Sequence, residues 1–418
     1  MKKGFFLLFC FILTSFSFLL ADESIIAIKN ARILTVTQGM MDRGTLIIRG
    51  DQIHKVGEDL EIPQRARVID ASGCVVTPGL IDSHSHLGLG PSGGITEDNE
   101  MSDPCMPQLR IIDSIHPHGM PPHEGSFRDA VREGVTTVIA RPGSGNVIGG
   151  QSAALKLTGD TVDEMILVFP VDMKMAMGRK NYYASKGKLP VTKMGTAYIV
   201  RKAMTEALNY RDRLQRKKKN NPDFTPERNL KYEALLKVLN REIPVHIHAS
   251  PGNDIMTAVR LAEEFDFYKL SLAHAVESYR VADILAQKGV IVVVGPQMVT
   301  FDEEGKLINI ADYLVKHGVE VNIMTDADVV QQEFLRFQAS VAVKYGMNPS
   351  EALKAITINP ARLIGMEERI GSLEKGKDAD LVIFDGDPFD IQSEVRKVFI
   401  NGKTVYKYTP SPENEGIQ

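Results

Sequence analysis

Short hydrophobic runs separated by turn residues dominate both ends of the chain. Near the start, β-branched residues recur in IIAIKNARILTV, TLIIRGDQIHKVG and ARVIDASGCVVTPG, with Gly, Asp and Asn between the runs. The pattern returns near the end in DADLVIFDGDPF and EVRKVFINGKTVYK. Runs of this composition are typical of strands. We therefore expect residues 22–77 and 367–408 to form one small β-sandwich domain from both chain ends.

The middle of the chain alternates strand-like runs with helical ones. The strand-like runs are VTTVIA (135–140), IPVHIHA (243–249), LSLAHA (270–275), VIVVVG (290–295) and VEVNIMTDAD (319–328). Between them, NDIMTAVRLAEEF and YRVADILAQKG carry apolar residues at helical spacing. Such alternation predicts βα units around a parallel sheet. Over residues 78–366 we expect an α/β fold, a (β/α)8 TIM-like barrel, which together with the β domain accounts for 418 residues.

The first 21 residues have the pattern of a signal peptide. Lys2 and Lys3 precede an apolar run that ends at Ala21. We expect cleavage near Ala21 and a periplasmic or secreted protein, with an uncleaved N-terminal membrane anchor as the alternative. No other membrane contact is expected, and residues 409–418 are predicted to be disordered.

Composition excludes some partners and leaves the cysteines open. Hydrophobic residues at 43%, charged residues at 24% and a formal net charge of -4 carry no nucleic-acid signature. Cys74 and Cys105 are the two cysteines after the signal segment, and they either form one bridge or remain free thiols. A core of this size does not depend on disulfides.

Histidines and one aspartate follow the predicted strands. His84 and His86 in IDSHSH lie two residues apart, so on a strand they share one face. His248, His274 and Asp326 each stand near the end of another strand-like run. Barrel active sites collect side chains from these ends, and imidazole with carboxylate ligands suits Zn²⁺. The pattern therefore predicts a catalytic zinc site.

Other histidines are assigned to supporting positions. His246 shares a face with His248 but lies deeper along the strand, and we expect it to be a hydrogen-bonded or core histidine. His116, His118 and His123 form an irregular loop cluster, for which we expect a solvated loop rather than a pocket entrance.

With these motifs, the sequence resembles the amidohydrolase superfamily of metal-dependent hydrolases, in the branch of imidazolonepropionase-like enzymes and related dipeptidases. The likeness covers nearly the whole chain and rests on TPGLIDSHSH, EGVTTVIARPG, VHIHAS, LAHAVES, NIMTDAD, the block from EALKAITINPARL to LVIFDGDP, and VFINGKTVYK.

The resemblance implies roles for individual residues. His84 and His86 would bind a more buried metal, while His248 and His274 would bind a more exposed one. Asp326 would ligate metal and handle protons. Members with two metals bridge them by a carboxylated lysine, here Lys174 in VDMKMAMG or its rival, Lys156 in SAALKLTG. One or two zinc ions are therefore expected.

The predicted function is that of an exported amidohydrolase that cleaves a C–N bond with a metal-activated hydroxide and with Asp326 as general base and acid. Cyclic-amide hydrolysis of the imidazolonepropionase type, deamination, and a non-catalytic binding role on the same barrel are the alternatives. The expected partner is a small amide or peptide-like molecule, and a homo-oligomer is left open.

A glycine-rich segment, RPGSGNVIGGQSAALK (141–156), lacks the ending of a phosphate-binding loop and is expected to be a βα loop that shapes the substrate pocket. Arg141, Gln151, Tyr182 and Tyr183 are the predicted substrate contacts.

Overall fold

The computed structural model describes residues 24–92, 95–118, 126–221, 224–225 and 227–409. The predicted signal peptide and residues 410–418 of the predicted tail lie outside this part of the chain, as does His123. None of the described helices is long and apolar enough to cross a membrane.

Strands from both chain ends form one outlying sheet. Its strands are β1 (Ile25–Leu34), β2 (Met40–Arg49), β3 (Gln52–Gly57), β4 (Arg67–Asp70), β5 (Val75–Pro78), β20 (Leu381–Phe384), β21 (Val395–Ile400) and β22 (Lys403–Lys407). Hydrogen bonds link them in the order β22-β21-β20-β5-β1-β2-β3, with β4 paired to β1. The predicted β-sandwich is not confirmed, because these eight strands form a single sheet.

The outlying sheet has its own core of alternate side chains. Ile28, Leu46, Leu381 and Phe399 are fully buried in one apolar cluster. Side chains alternate between the two faces of a strand, so this cluster takes the residues of one face. On β20 the other face is also buried, because Val382 and Phe384 belong to the larger apolar cluster of the central strands.

The central strands extend from β6 to β19. They are β6 (Leu80–Ser85), β7 (Pro91–Ser92), β8 (Ile95–Thr96), β9 (Val135–Ala140), β10 (Ile148–Gln151), β11 (Ala153–Lys156), β12 (Ile166–Val168), β13 (Met173–Ala176), β14 (Val245–Ala249), β15 (Leu270–His274), β16 (Ile291–Val294), β17 (Val299–Phe301), β18 (Leu307–Asn309) and β19 (Val321–Ile323). Most of them belong to two sheets, ordered β12-β11-β9-β6 and β10-β13-β14-β15-β16-β19.

One interrupted segment belongs to both sheets. β11 pairs antiparallel with β9, and β10 pairs antiparallel with β13, so the chain from 148 to 156 departs from the predicted parallel order. The prediction of a loop over 141–156 was wrong for this part of it, because these residues pair with two distant strands. At the other side, the Asp326 N–H donates to the His84 carbonyl at 3.1 Å, and the His86 N–H donates to the Ala327 carbonyl at 2.7 Å. These bonds join the segment that follows β19 to the end of β6.

Helices cover the outside of the central strands. They are α1 (Ser126–Arg132), α2 (Val162–Met165), α3 (Asn181–Ser185), α4 (Lys193–Asn220), α5 (Leu230–Leu239), α6 (Gly252–Glu264), α7 (Ala282–Gln287), α8 (Ile310–Lys316), α9 (Leu335–Lys344), α10 (Pro349–Ala355) and α11 (Ile358–Leu363). The Thr192 side chain accepts a hydrogen bond from the Gly195 N–H and so caps the longest helix, α4. The basic run from Arg213 to Asn220 forms the C-terminal end of α4, and most of its residues are exposed.

The central strands contribute side chains to two apolar clusters, a large one that includes the helices and a smaller inner one. Side chains such as Val138, Ile247 and Ile323 pack outward against the helices, whereas Ile139 and Met324 belong to an inner cluster.

Cys74 and Cys105 are both free, so the disulfide alternative does not apply.

Candidate metal centre

The HxH pair lies where the first central strand ends. β6 is buried along its whole length, and His84 is 1% exposed while His86, one residue beyond the strand, is partly exposed. Their rings pack edge to face with centroids 5.2 Å apart. The predicted common face of these two side chains is therefore observed.

Three further predicted ligands meet the pair at the same strand ends. Asp326 Oδ1 lies 3.4 Å from Nε2 of His84 and 3.4 Å from Nε2 of His86. His274 Nε2 lies 3.8 Å from Asp326 Oδ2, and the His248 ring stacks edge to face on His274 at 4.4 Å. Five residues from four distant parts of the sequence thus form one cluster.

Hydrogen bonds orient three of these imidazoles. His84 Nδ1 lies 2.8 Å from His246 Nε2, His86 Nδ1 lies 2.8 Å from the Arg141 carbonyl, and His274 Nδ1 lies 2.9 Å from the Gly295 carbonyl. A carbonyl can only accept, so Nδ1 of His86 and of His274 carries the proton. The Nε2 lone pairs of both rings are therefore directed toward Asp326, as metal coordination requires.

The donor set fits a divalent ion. His84 Nε2 is buried and has no hydrogen-bond partner in the described part of the chain. The ligand atoms of His84, His86 and Asp326 all lie within 4.8 Å of one another. Ligands bound at about 2.1 Å to one tetrahedral ion lie about 3.4 Å apart, the separation seen here between carboxylate and imidazole.

Burial sets the protonation states in the cluster. It lowers the pKa of His84 and of His274, and lowers the pKa of His248 to about 2. Burial acts to raise the pKa of Asp326, but the nearby His86, His274 and Lys174 outweigh it and lower that pKa. Neutral imidazoles and an ionised carboxylate are the forms that bind metal.

His246 supports the pair as predicted. It is fully buried, and its Nδ1 lies 2.7 Å from the Ser271 hydroxyl. If His84 binds metal through Nε2, its neutral ring donates from Nδ1 to His246, and His246 then donates to Ser271. This chain of bonds fixes the orientation of the His84 ring.

Asp82 is a supporting residue that sequence reasoning missed. Its carboxylate accepts from the His84 N–H at 3.0 Å and from the Thr325 hydroxyl at 2.5 Å, and it also accepts from Gln332. It therefore ties the strand of His84 to the segment that carries Asp326. Its position two residues before His84, on the same face, was the available signal.

Lys174 and Lys156 lie in different surroundings. Lys174 is 1% exposed, pairs with His246 in the β13–β14 register, and donates to the Pro142 carbonyl at 3.0 Å. Lys156 instead lies 2.7 Å from Asp378 and 2.8 Å from Asp380, where β11 meets the C-terminal segment. Lys174, the favoured candidate for the bridge, is thus the lysine beside the histidines.

The predicted substrate contacts are mostly engaged within the protein. Arg141 is fully buried, with its guanidinium 2.6 Å from Asp172. Gln151 accepts from Lys237, Tyr183 donates to Asn146, and both side chains are buried. Tyr182 is 38% exposed. Direct substrate contact by these four residues stays a prediction.

A cavity of about 260 Å³ adjoins the cluster. Its lining includes Asp98, whose carboxylate lies 4.0 Å from His86 Nδ1, and Pro142, whose carbonyl accepts from Lys174. His116 and His118 do not line this cavity.

The backbone is strained at two ligand positions. His274 has φ 67°, the next residue Ala275 has φ 45°, and Asp326 has φ 55°. Residues other than glycine adopt this left-handed conformation at a cost of about 1–2 kcal/mol each. Such strain concentrates at functional sites, where it aims side chains that regular strand geometry would not.

Comparison with known proteins identifies the family of this chain. Residues 75–405 match the amidohydrolase family. Amidohydrolase tasK of Hapsidospora irregularis is 28% identical over 398 residues, which are 86% of this chain and 39% of that protein. Imidazolonepropionase of Geobacillus sp. (strain WCH70) is 26% identical over 385 residues, covering 83% of this chain and 84% of the relative. The crystal structure of an amidohydrolase from Thermotoga maritima MSB8 is 36% identical, with a TM-score of 0.85 over 92% of this chain and 100% of that chain.

The family match spans most of the chain, and the chain therefore belongs to the amidohydrolase family, in its imidazolonepropionase-like branch. The structural likeness implies the (β/α)8 barrel fold of that family. The chain spans 39% of the length of amidohydrolase tasK, so it corresponds to one part of that larger protein.

Proposed function

We propose that this protein is an exported, metal-dependent amidohydrolase that cleaves a C–N bond in a small amide or peptide-like substrate. The observation that carries the proposal is the buried His84 Nε2, which has no partner in the described chain and lies 3.4 Å from Asp326. His84, His86 and Asp326 would hold one ion, and His248 with His274 would hold a second. Zinc suits this imidazole and carboxylate set.

Lys174 would complete a two-metal site after carboxylation. Burial lowers the pKa of its ammonium to about 8, so a useful fraction of the amine is neutral near pH 7. A neutral amine reacts with carbon dioxide to give a carbamate and one proton, and a carbamate offers two oxygen ligands. A neighbouring cation would stabilise that anion.

Each reacting group has an assigned role. A bound divalent ion would polarise the substrate carbonyl and lower the pKa of the attacking water to about 7. Asp326, ionised because its pKa is lowered, accepts the proton of that water and delivers it to the leaving nitrogen. The hydrogen bonds of His246 and Asp82 keep the ligands in place during this transfer.

Hydrolysis of a cyclic amide is the second candidate, because imidazolonepropionases are among the relatives that cover most of both chains. An assay of dipeptides, N-acyl amino acids and cyclic amides distinguishes hydrolysis of a linear amide from hydrolysis of a cyclic one. Ring opening without a second product favours the cyclic amide, whereas release of ammonia without a new carboxylate favours deamination.

The substitution Asp326→Asn tests the chemistry. It keeps the size of the side chain but removes the proton acceptor, so kcat should fall by about 10²–10⁴. Elemental analysis of the purified variant should still find metal, and its melting temperature should stay near that of the wild type. Wild-type turnover in this variant would contradict the role of Asp326, and absence of metal from the wild type would contradict the proposal as a whole.

A further inference from the structure

A second buried lysine, Lys180, lies beside the metal centre without a role in the chemistry above. It follows β13 by four residues and is 5% exposed. Its Nζ donates to the Ser144 carbonyl at 2.8 Å and to the Met177 carbonyl at 3.2 Å. These carbonyls belong to the segments that follow β9 and β13, at the strand ends where the histidines meet.

The charge of Lys180 has no carboxylate partner within 4 Å in the described part of the chain. Asp254 is the carboxylate whose charge acts on Lys180, but it lies 2.9 Å from the ammonium of Lys193. An ammonium has three N–H donors, and Lys180 uses two of them on carbonyl oxygens. A buried charge without a counter-ion costs free energy of folding, so a lysine at this position indicates a role other than stability.

The position of Lys180 connects it to the reacting centre. Lys174 donates to the Pro142 carbonyl, two residues before Ser144, and two residues of chain span at most about 7 Å. The Met177 N–H donates to the His248 carbonyl at 2.8 Å, and the charge of Lys180 acts on the His248 ring. Lys180 therefore lies on the β13–β14 side of the metal centre, where its charge and those of Lys174 and His248 act on one another.

We propose that the third N–H of Lys180 binds a carboxylate of the substrate, so that the enzyme selects amides with a free carboxylate, such as dipeptides and N-acyl amino acids. The inference rests on the proposed amidohydrolase function. Burial lowers the pKa of Lys180 to about 7, and a bound anion would raise it again and hold the ammonium form. A single ammonium suits a carboxylate, since phosphate sites commonly use several donors.

Hydrolysis of matched substrate pairs is the first arm of the test. Dipeptides and N-acetyl amino acids are offered to the full-length protein with a free or an amidated C-terminus. The wild type should prefer the free carboxylate, and Lys180→Met should lose about ten- to a hundredfold in kcat/KM on that form, mainly through KM. Amidated substrates should be little affected. The exposed Lys188, in the same segment, supplies the matched control Lys188→Met, which should behave as wild type.

Binding is the second arm and does not depend on turnover. In the Asp326→Asn background, calorimetry with the same N-acetyl amino acids should show tighter binding of the free acids than of their amides. Lys180→Met should abolish that difference, whereas Lys180→Arg, which keeps the charge, should retain part of it. Carboxylate-selective binding without hydrolysis by the wild type would support the anion site while contradicting the proposed function.

Three results would overturn the inference. One is an equal loss on free and amidated substrates in Lys180→Met, and another is absence of any preference in the wild type. The third is a fall in metal content in Lys180→Met that matches the fall in Lys174→Ala, because Lys180 would then pair with a carbamate on Lys174. If the Lys180→Met chain does not fold, Lys180→Arg decides the test. That variant must then keep the preference for substrates with a free carboxylate.

Discussion

At the scale of single residues, two buried lysines have different roles because their surroundings differ. Lys174 lies against a carbonyl beside the histidines, and Lys156 lies between two buried carboxylates. Burial lowers the pKa of Lys174 to about 8 and so drives its ammonium toward the neutral, reactive form. We expect the two lysines to respond differently to the same substitution.

Lys174→Ala should lower metal content. If Lys174 is the bridge, a wild type with about two zinc-like ions per chain should fall to one or fewer. Elemental analysis of the purified protein measures this directly. One ion per chain in both proteins would instead indicate a single-metal centre in which Lys174 is not a ligand.

Lys156→Ala should lower stability and leave metal content unchanged. The substitution leaves Asp380, whose side chain is 5% exposed, without a cationic partner in the described chain, while Asp378 keeps Arg369 at 2.7 Å. Breaking a buried pair costs about 3–5 kcal/mol. Denaturant unfolding followed by circular dichroism would measure the loss. A stability equal to that of the wild type would show that Asp380 does not need the charge of Lys156.

At the scale of elements, the site depends on where strands end and on the turns that follow. Gly295, directly after β16, has φ +139° and supplies the carbonyl that orients His274. A Cβ added there would lie 2.4 Å from the Met324 carbonyl oxygen, in the segment that continues β19. The turn therefore needs glycine both for its backbone conformation and for its close approach to the neighbouring strand.

Gly295→Ala should destabilise the protein by about 3 kcal/mol or more and reduce metal occupancy. The matched control is Gly305→Ala in the turn between β17 and β18, where φ is +78° but nothing lies within 4 Å of the added Cβ. The control should cost about 1–2 kcal/mol from backbone strain alone and keep its metal. Equal losses of stability in both variants would show that the close approach of Gly295 to Met324 does not matter.

At the scale of the whole molecule, the two chain ends are interlocked through β5. This strand pairs with β1 on one side and with β20 on the other, and it leads directly into β6 and the HxH pair. The C-terminal strands are therefore part of the support for the first metal-binding strand, although they follow it by some 300 residues of sequence.

A chain that stops at Met366 should fail to fold into a soluble, metal-binding protein. It lacks β20, whose four buried residues pair with Val75–Pro78, and it leaves Lys156 without its carboxylates. A chain that stops at residue 409 keeps every described strand and should melt as the full-length protein does. Because the chain has no tryptophan, circular dichroism is the suitable probe. Cooperative melting of the shorter chain would contradict the interlocking.

Particular residues mark how far the sequence alone predicts the site. His84, His86, His248, His274 and Asp326 were all located from strand patterns, and the structure brings them together. Local periodicity was sufficient there, because alternate strand residues share a face and strand ends meet at one edge. Arg141 and Gln151 show the limit, since their partners Asp172 and Lys237 are 31 and 86 residues away.

The sequence by itself determined the alternation of strands and helices outside residues 141–156, the common face of His84 and His86, and the family resemblance, because each depends on residues close together in the chain. Only the tertiary structure decided that Lys174 and not Lys156 lies beside the histidines, that the segment 148–156 runs antiparallel to its neighbours, and that Lys180 carries a buried charge without a nearby carboxylate in the described chain. These features depend on which distant segments pack together, and that outcome is set by packing and charge pairing across the whole fold rather than by local pattern.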